Sequence, residues 1–316
     1  TALSMVGIIC LAPLVSGTLG RLIIPVYRFL GVDPAMFGSL LAIDMGGYQL
    51  SMELAENPLI GRYAGIVAAS VFGCTIVFTI PVGMGLIEEG DRPVFAKGIM
   101  LGLAAMPAAL ITGGAVCGLG IGEILHQNLP VLVLALLLGT GLFRIPDGMV
   151  KGFEVFAVLI RTVITAGLVL AAVTYMTGFV VIPGMAPIEE AMAVVSSIGV
   201  VLLGSLPVTE FLQRRLKRPC TALGARMGLD SISVLGLLVS IVSPIPALVM
   251  MKDMNTFGKL VNVAYMVSSA SMLAAHLGFT VSTEPDMLPA LLVSKLAGCA
   301  AAIALGFITS KTKKRL

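Results

Sequence analysis

The sequence predicts an all-α, polytopic transmembrane helical bundle. Three observations carry that prediction. Apolar residues make up 58% of the 316 residues and charged residues 12%. The mean hydropathy is +1.05. Apolar runs recur at about 20 residues, the length that crosses a bilayer as a helix. A soluble domain is about 45–50% apolar and about 25% charged. A chain so poor in charge cannot cover a water-facing surface, so most of its solvent is lipid. The 36 glycines suit helices that pack closely or break inside a membrane. Trp is absent, which leaves the five Tyr, with Phe, Lys and Arg, for the interfacial belts.

The apolar runs fall at 2–20, 34–52, 62–87, 97–120, 128–145, 155–178, 191–213, 229–251, 257–281 and 288–309. None alternates as a strand does, and no linker divides them. Residues 1–316 therefore read as a single polytopic membrane domain with nine to ten apolar segments. The run at 34–52 is the least apolar and holds Asp44, Gly46, Gly47, Gln49 and Glu53. The run at 229–251 starts at Asp230 and ends near Ser243-Pro244-Ile245-Pro246. The first run begins at Thr1 without a charged leader region, so it is no ordinary signal peptide. Upstream residues are expected to be missing or to have been removed.

Lys and Arg collect in loops on the cytoplasmic side. Arg214, Arg215, Lys217, Arg218 and Arg226 place a loop at 214–226 inside, as Arg144 and Lys151 do for 144–151. Loops 121–127 and 179–190 carry no Lys or Arg and are expected outside. The tail, with Lys311, Lys313, Lys314 and Arg315, is expected inside. Three full spans after 226 would put it outside. Either the Pro-interrupted run 229–251 is re-entrant, or the tail is external. The halves 34–120 and 220–309 are candidate repeats with broken or re-entrant helices. Ile80-Pro81, an acidic turn and Phe95-Ala96-Lys97 in one echo Ile245-Pro246, Lys252-Asp253 and Phe257-Gly258-Lys259 in the other. Carriers built from such repeats bind their substrate near the midplane.

Asp44 is the leading candidate site residue. A carboxylate in hydrocarbon costs about 2.5–3.5 kcal/mol on insertion scales, so it needs a protein, water or cationic partner. Gly46 and Gly47 weaken the helix and free backbone carbonyls. Tyr48 lies one turn beyond Asp44 if the helix continues, and Gln49 is next to it. A carboxylate, freed carbonyls and an aromatic ring together suit a small ammonium ion. The alternative is an Asp that caps a helix resuming after the glycines. Asp230 reads first as the N-cap of the next helix, and as a pathway residue if that segment is re-entrant. Asn262, Ser269 and His276, at seven-residue spacing, share one face of a helix. They form either interhelical hydrogen bonds or a pore lining, and His276 is a candidate proton carrier. Lys295 is too deep to snorkel and is expected to meet a carboxylate. Glu154 and Arg161 could pair, though Arg161 reads first as snorkelling to the cytoplasmic edge. Glu210 reads as interfacial and Thr75 as bonded to backbone.

Composition also excludes several classes. The net charge of +3 sits in short loops, which sets orientation rather than nucleic-acid binding. Five Cys without a Cys-x-x-Cys pair, beside two His, make no zinc site, and Cys10, Cys74 and Cys299 read as buried thiols. No hydrolase, metalloprotease or phosphate-loop motif occurs. Asp44 and Asp230 lack the surroundings of an intramembrane aspartyl protease, so no enzyme, metal or cofactor is expected.

Ile23-Ile24-Pro25-Val26-Tyr27, Asp33-Pro34-Ala35-Met36-Phe37-Gly38 and Asp44-Met45-Gly46-Gly47 resemble the EutH family of bacterial ethanolamine-utilisation permeases. So do Thr75-Ile76-Val77-Phe78-Thr79-Ile80-Pro81-Val82, Gly258-Lys259-Leu260-Val261-Asn262 and His276-Leu277-Gly278-Phe279. The matches keep their order along most of the chain. Ala275 stands where some relatives carry an acidic residue. The resemblance implies a multi-pass protein of the bacterial cytoplasmic (inner) membrane that takes up ethanolamine without a cofactor. Asp44 would then neutralise the ammonium, Tyr48 offer its ring, and Gln49 or Asn262 bond the hydroxyl. The competing readings are a carrier for another small cation or amino compound, a membrane enzyme acting on a lipid amine headgroup, and an assembly subunit. Without a dense carboxylate cluster, facilitated transport is expected before sodium coupling.

Overall fold

A computed structural model describes residues 2–41 and 47–313. All regular structure among the described residues is helical. In chain order, α1 (Ala2–Phe29) leads to α2 (Ala35–Gly38) and α3 (Gly47–Leu54). Then α4 (Pro58–Arg62) continues through π-helical turns over Tyr63–Gly73 and Thr75–Thr79 into α5 (Ile80–Leu86). A 3₁₀ turn at Glu89–Asp91 opens α6 (Arg92–Val116). Next come α7 (Ile121–Gln127), α8 (Leu129–Arg144), α9 (Pro146–Thr177) and α10 (Ile188–Arg226). The last part holds α11 (Ser231–Ser240), α12 (Pro244–Val249), a 3₁₀ turn at Met250–Asp253, α13 (Thr256–Ser269) and α14 (Ala275–Thr283). A 3₁₀ turn at Pro285–Met287 then precedes α15 (Leu288–Lys313).

The protein is an all-α membrane protein, but its helices are not ten uniform spans. Among the described residues, Val6–Phe29, Glu89–Val116 and Pro285–Thr309 are long and apolar enough to cross a bilayer alone. Ile121–Gln127 with Leu129–Gly141, bent by 56°, makes a fourth. Pro58–Gly73, Thr162–Thr177 and Ser231–Ser240 are shorter apolar stretches.

Two segments fold back on themselves, and an aspartate ties each. Asp33 Oδ1 accepts the Ala35 N–H at 2.9 Å at the entry to α2. The same carboxylate accepts the N–H of Asn57 at 2.8 Å and of Glu56 at 3.3 Å, where the chain emerges from α3. Asp230 repeats the device. It accepts the Ser233 N–H at 2.9 Å to cap α11, and the Asn255 N–H at 3.1 Å after the segment has returned. In both cases the asparagine reached is itself a cap, Asn57 for α4 and Asn255 for α13. A carboxylate can accept several N–H groups at once, which is why Asp holds both ends of a hairpin.

The helix over 58–86 and the helix over 256–283 then pass each other antiparallel. Arg62, near the start of the first, pairs at 3.3 Å with Glu284, just past the end of the second. Asp91, past the end of the first, accepts two bonds at 2.6 and 2.7 Å from Lys259, near the start of the second. The two hairpins therefore sit at opposite ends of the molecule. Small residues let the neighbours close in. Gly98 and Gly102 of α6 lie against Val263 and Val267 of α13, in parallel register. Gly113 of α6 lies against Ser294, and Gly298 of α15 against Ala109, so α6 and α15 run antiparallel.

The hairpin resolves the conflict in the charge pattern. Because 230 and 255 meet, α11 and α12 return the chain to the end it left. After the 256–283 helix and α15, the chain arrives at Lys313 on the same end as Arg226. Three expected loops need correction: 121–127 is α7, and 144–151 is the join of α8 and α9. Residues 214–226 are not a loop but the last turns of α10, a helix of 39 residues. Lys and Arg are good helix formers, so a run of charge does not end the helix.

Stretches 33–116 and 230–313 run through the same succession: tied hairpin, interrupted helix, 3₁₀ turn and long helix. Asp33 and Asp230, Asn57 and Asn255, Leu86 and Thr283, Arg92 and Leu288, and Val116 and Lys313 stand 196–198 residues apart. The Ile80-Pro81 and Ile245-Pro246 likeness does not match this succession. Ile80 and Pro81 continue an interrupted helix, whereas Ile245 and Pro246 lie inside a hairpin.

Candidate functional site

The centre of the molecule is built from interruptions. Residues 269–274 carry Ser269 and Ser271 among Ala270, Met272, Leu273 and Ala274, and Ser hydroxyls can compete with a helix for backbone groups. Here α13 stops, Ser271 takes a left-handed φ of 56°, and α14 starts at Ala275. The tip of the second hairpin, between α11 and α12, meets this break. The Leu273 N–H donates to the Ile241 carbonyl at 3.0 Å, and the Ser240 and Ser269 hydroxyls bond at 3.1 Å. On the facing helix, the π-helical turns over 63–79 shift the backbone pairing by one residue per turn, a distortion frequent at functional sites.

Lys295 enters this centre from α15 and is fully buried. Its ammonium donates to the carbonyls of Ser268 at 2.9 Å, Ser70 at 3.0 Å and Ala270 at 3.2 Å. Three donors meet three acceptors, so the group is saturated. The expected carboxylate partner is therefore replaced by backbone dipoles. Ser268 Oγ and Ser294 Oγ nearby, and His276 Nδ1 and Thr280 Oγ1 on α14, are buried polar atoms without a partner among the described residues. Polar atoms in that condition are uncommon in native proteins and are usually met by water, an ion or a ligand.

The sequence candidates are dispersed around this centre. Asp44 and Gly46 lie outside the described residues. Gly47 opens α3 and is buried. Tyr48 donates its hydroxyl to Glu284 Oε1 at 2.5 Å, and its ring stacks edge-on with Phe279 at 5.5 Å between centroids. Gln49, half-buried, is the next residue of α3. Asp230 is the hairpin tie, at the end of the molecule away from Tyr48. Burial pushes its carboxyl up, but the hydrogen bonds from Ser233 and Asn255 outweigh that and hold it below its ordinary value. Asn262 donates to the Ser233 and Gly258 carbonyls, both at 2.9 Å, and its Oδ1 has no partner among the described residues.

His276 is buried in the first turn of α14. The single stripe from Asn262 through Ser269 to His276 does not exist, because the helix it assumed breaks between the last two. Thr75 bonds the Val71 carbonyl at 2.7 Å, as expected of a helical threonine. The side chains of Glu154 and Arg161 lie outside those described. Sequence reasoning missed Asp33, Glu284 and the Lys259–Asp91 pair. The only signals were the Asn57-Pro58 cap and the recurrence of Asp and Asn at like spacing.

Over residues 1–309 the chain matches the family described as "Ethanolamine utilisation protein, EutH". It belongs to the EutH family. A Listeria monocytogenes protein named "Probable ethanolamine permease EutH" is 40% identical over 305 residues, covering 96% of this chain and 82% of that one. A Bacillus subtilis protein named "Uncharacterized protein YxeR" is 39% identical over 321 residues, covering 100% and 87%. An Escherichia coli EutH protein, again named a probable ethanolamine permease, is 38% identical over 326 residues, covering 95% and 80%. No solved structure matches the chain. The order and spread of the EutH motifs in the sequence agree with this membership.

Proposed function

We propose that this protein carries ethanolamine across the bacterial cytoplasmic membrane by facilitated uptake of its ammonium form. The observation that carries the reading is the meeting of a broken helix, a hairpin tip and a π-distorted helix around buried polar atoms. Substrate sites of carriers are built from such discontinuous helices. The names of the Listeria and Escherichia relatives supply the substrate. Ethanolamine is an ammonium at neutral pH, its amine pKa lying below the ~10.4 of lysine. Only its scarce neutral form crosses lipid unaided, so a carrier matters most in acid and at low substrate.

In this proposal Asp44 neutralises the ammonium. Gly47 leaves room beside it, and Gln49, next to Tyr48, bonds the hydroxyl. Asn262, held by the Ser233 and Gly258 carbonyls toward the Asp230 end, is too far from Tyr48 to share one small molecule with it. The Tyr48 hydroxyl is taken by Glu284, which leaves its ring for the substrate. His276 borders the pathway, and Asp230 supports it by holding the hairpin closed. Counterflow of radiolabelled ethanolamine in proteoliposomes tests the reading. Saturable exchange is expected, competed by unlabelled ethanolamine and unaffected by unrelated amino compounds. Asp44→Asn should insert normally and lose that exchange by at least about a hundredfold, the cost of one charge-assisted contact and the desolvation left behind. Wild-type exchange by Asp44→Asn would remove Asp44 from the site. Equal competition by other small cations would replace the substrate.

A further inference from the structure

We infer that stretches 33–116 and 230–313 are inverted repeats, and that they meet at a monovalent-cation site which this chain fills with its own Lys295 ammonium. The purpose of that site rests on the transport reading, though its geometry does not. The succession of elements recurs at a shift of 196–198 residues, and the ties are chemically alike at each step. Asp33 and Asp230 close the hairpins, and Asn57 and Asn255 cap the helices that leave them. The cross-contacts are reciprocal. The turn ending the first interrupted helix holds a base near the start of the second, through Asp91 and Lys259. The turn ending the second holds a base near the start of the first, through Glu284 and Arg62. Reciprocal contacts between antiparallel elements are what a two-fold axis lying across the helices produces.

Lys295 spans corresponding places in the two stretches. Ser70 lies 13 residues after Asn57, and Ser268 lies 13 after Asn255. Both present their carbonyls to the same ammonium, joined by Ala270 at the break. Carbonyls released by unwound helices are the ligands that broken-helix carriers offer to sodium or another coupling ion. Here those ligands are taken by a covalently attached cation with its three donors saturated. A metal ion has no place there while Lys295 is charged. The chain thus supplies internally what other carriers draw from solution, and sodium should be dispensable.

Truncating Lys295 to alanine removes three carbons and the nitrogen, the outline of n-propylammonium. In Lys295→Ala, n-propylammonium chloride should raise the thermal midpoint of the detergent-solubilised protein, growing with the logarithm of its concentration. Sodium should do so more weakly. The native chain should not respond, nor should Lys295→Met, whose side chain keeps the space filled. Neither cation moving the Lys295→Ala midpoint would overturn the inference, as would an equal response from Lys295→Met. If Lys295→Ala cannot be isolated, expression with n-propylammonium in the medium should recover it. Recovery supports the site, and failure with normal yield of Lys295→Met counts against it. On the native chain, ethanolamine uptake should be unchanged when potassium replaces sodium on both sides of the membrane, and sodium-dependent uptake overturns the internal-cation role. Absence of any uptake by the native chain would instead refute the transport reading and leave the thermal result standing.

Discussion

The two interrupted helices make the same passage in opposite directions, yet they release their carbonyls differently. Between Tyr63 and Thr79 the first helix never opens; its hydrogen bonds widen to i→i+5. Between Ser269 and Ala275 the second opens completely. Local chemistry accounts for the contrast. Tyr63–Gly73 is wholly buried and mostly apolar, so an opened turn would leave backbone groups unmet, whereas widening keeps them paired. Around 270 the hairpin tip meets the break, its Ser240 hydroxyl bonding that of Ser269 and its Ile241 carbonyl accepting the Leu273 N–H. A helix can open in apolar surroundings only where each released group finds a new partner. Lys295 takes advantage of both solutions, drawing one carbonyl from the widened helix and two from the open one.

The ends of the two passages offer the largest contrast to break. Lys259 and Asp91 are only 15% and 13% exposed and make two short bonds. Arg62 and Glu284 are 33% and 21% exposed and make one long one. Lys259→Met leaves a nearly buried carboxylate alone and should cost about 3 kcal/mol of stability, the low end for breaking a buried pair. Arg62→Met should cost under about 1 kcal/mol, because solvent and the Tyr48 hydroxyl still serve Glu284. Thermal unfolding of the two variants in one detergent measures the difference. Equal losses would mean that the ends are equivalent.

The hairpin ties come next. Asp33 accepts three N–H groups and Asp230 two. Asp33→Ala should cost about 2 kcal/mol and Asp230→Ala about 1 kcal/mol, counting the bonds at both ends of each hairpin together. Asp230 also predicts a pH dependence. Its folded pKa lies below the ordinary 3.8, so the native chain binds fewer protons there than the unfolded chain. The stability it contributes is present above the unfolded value and is lost as pH falls through the folded one. The gap between native protein and Asp230→Asn should hold at neutral pH and close as pH falls through and below the ordinary carboxylate range. A gap constant with pH would mean that the carboxylate charge is not what ties the hairpin.

Much of this was legible in the sequence, and the failures share a cause. The apolar runs gave the helices, and the charge conflict at the tail pointed to 229–251 as the segment that returns. The partner of Lys295 was not legible. Periodicity places a charge on a buried helix face, but every residue carries a carbonyl, and only the breaks decide which ones are free. The stripe from Asn262 to His276 failed because it assumed an unbroken helix through Ser269. The ties by Asp33 and Asp230 were hidden because a contact across some 25 residues leaves no local pattern. The likeness of Ile80-Pro81 to Ile245-Pro246 misled because proline suits any helix start, in a hairpin or in a passage.

The smallest effect sharpens the opening comparison most directly. Ser271 holds a left-handed backbone at the break, a conformation costing a non-glycine residue about 1 kcal/mol. If backbone shape governs the opening, Ser271→Gly should relieve that strain. The extra freedom of glycine in the unfolded chain offsets much of the gain, so stability should stay within about 0.5 kcal/mol of native. Ser271→Val adds a branched Cβ at positive φ and should be the least stable of the series, with Ser271→Ala between. An order in which Ala and Val lose equally and Gly loses more would point to the hydroxyl instead. The second helix would then be open because of what Ser271 bonds, rather than because of the backbone shape the hairpin tip requires of it.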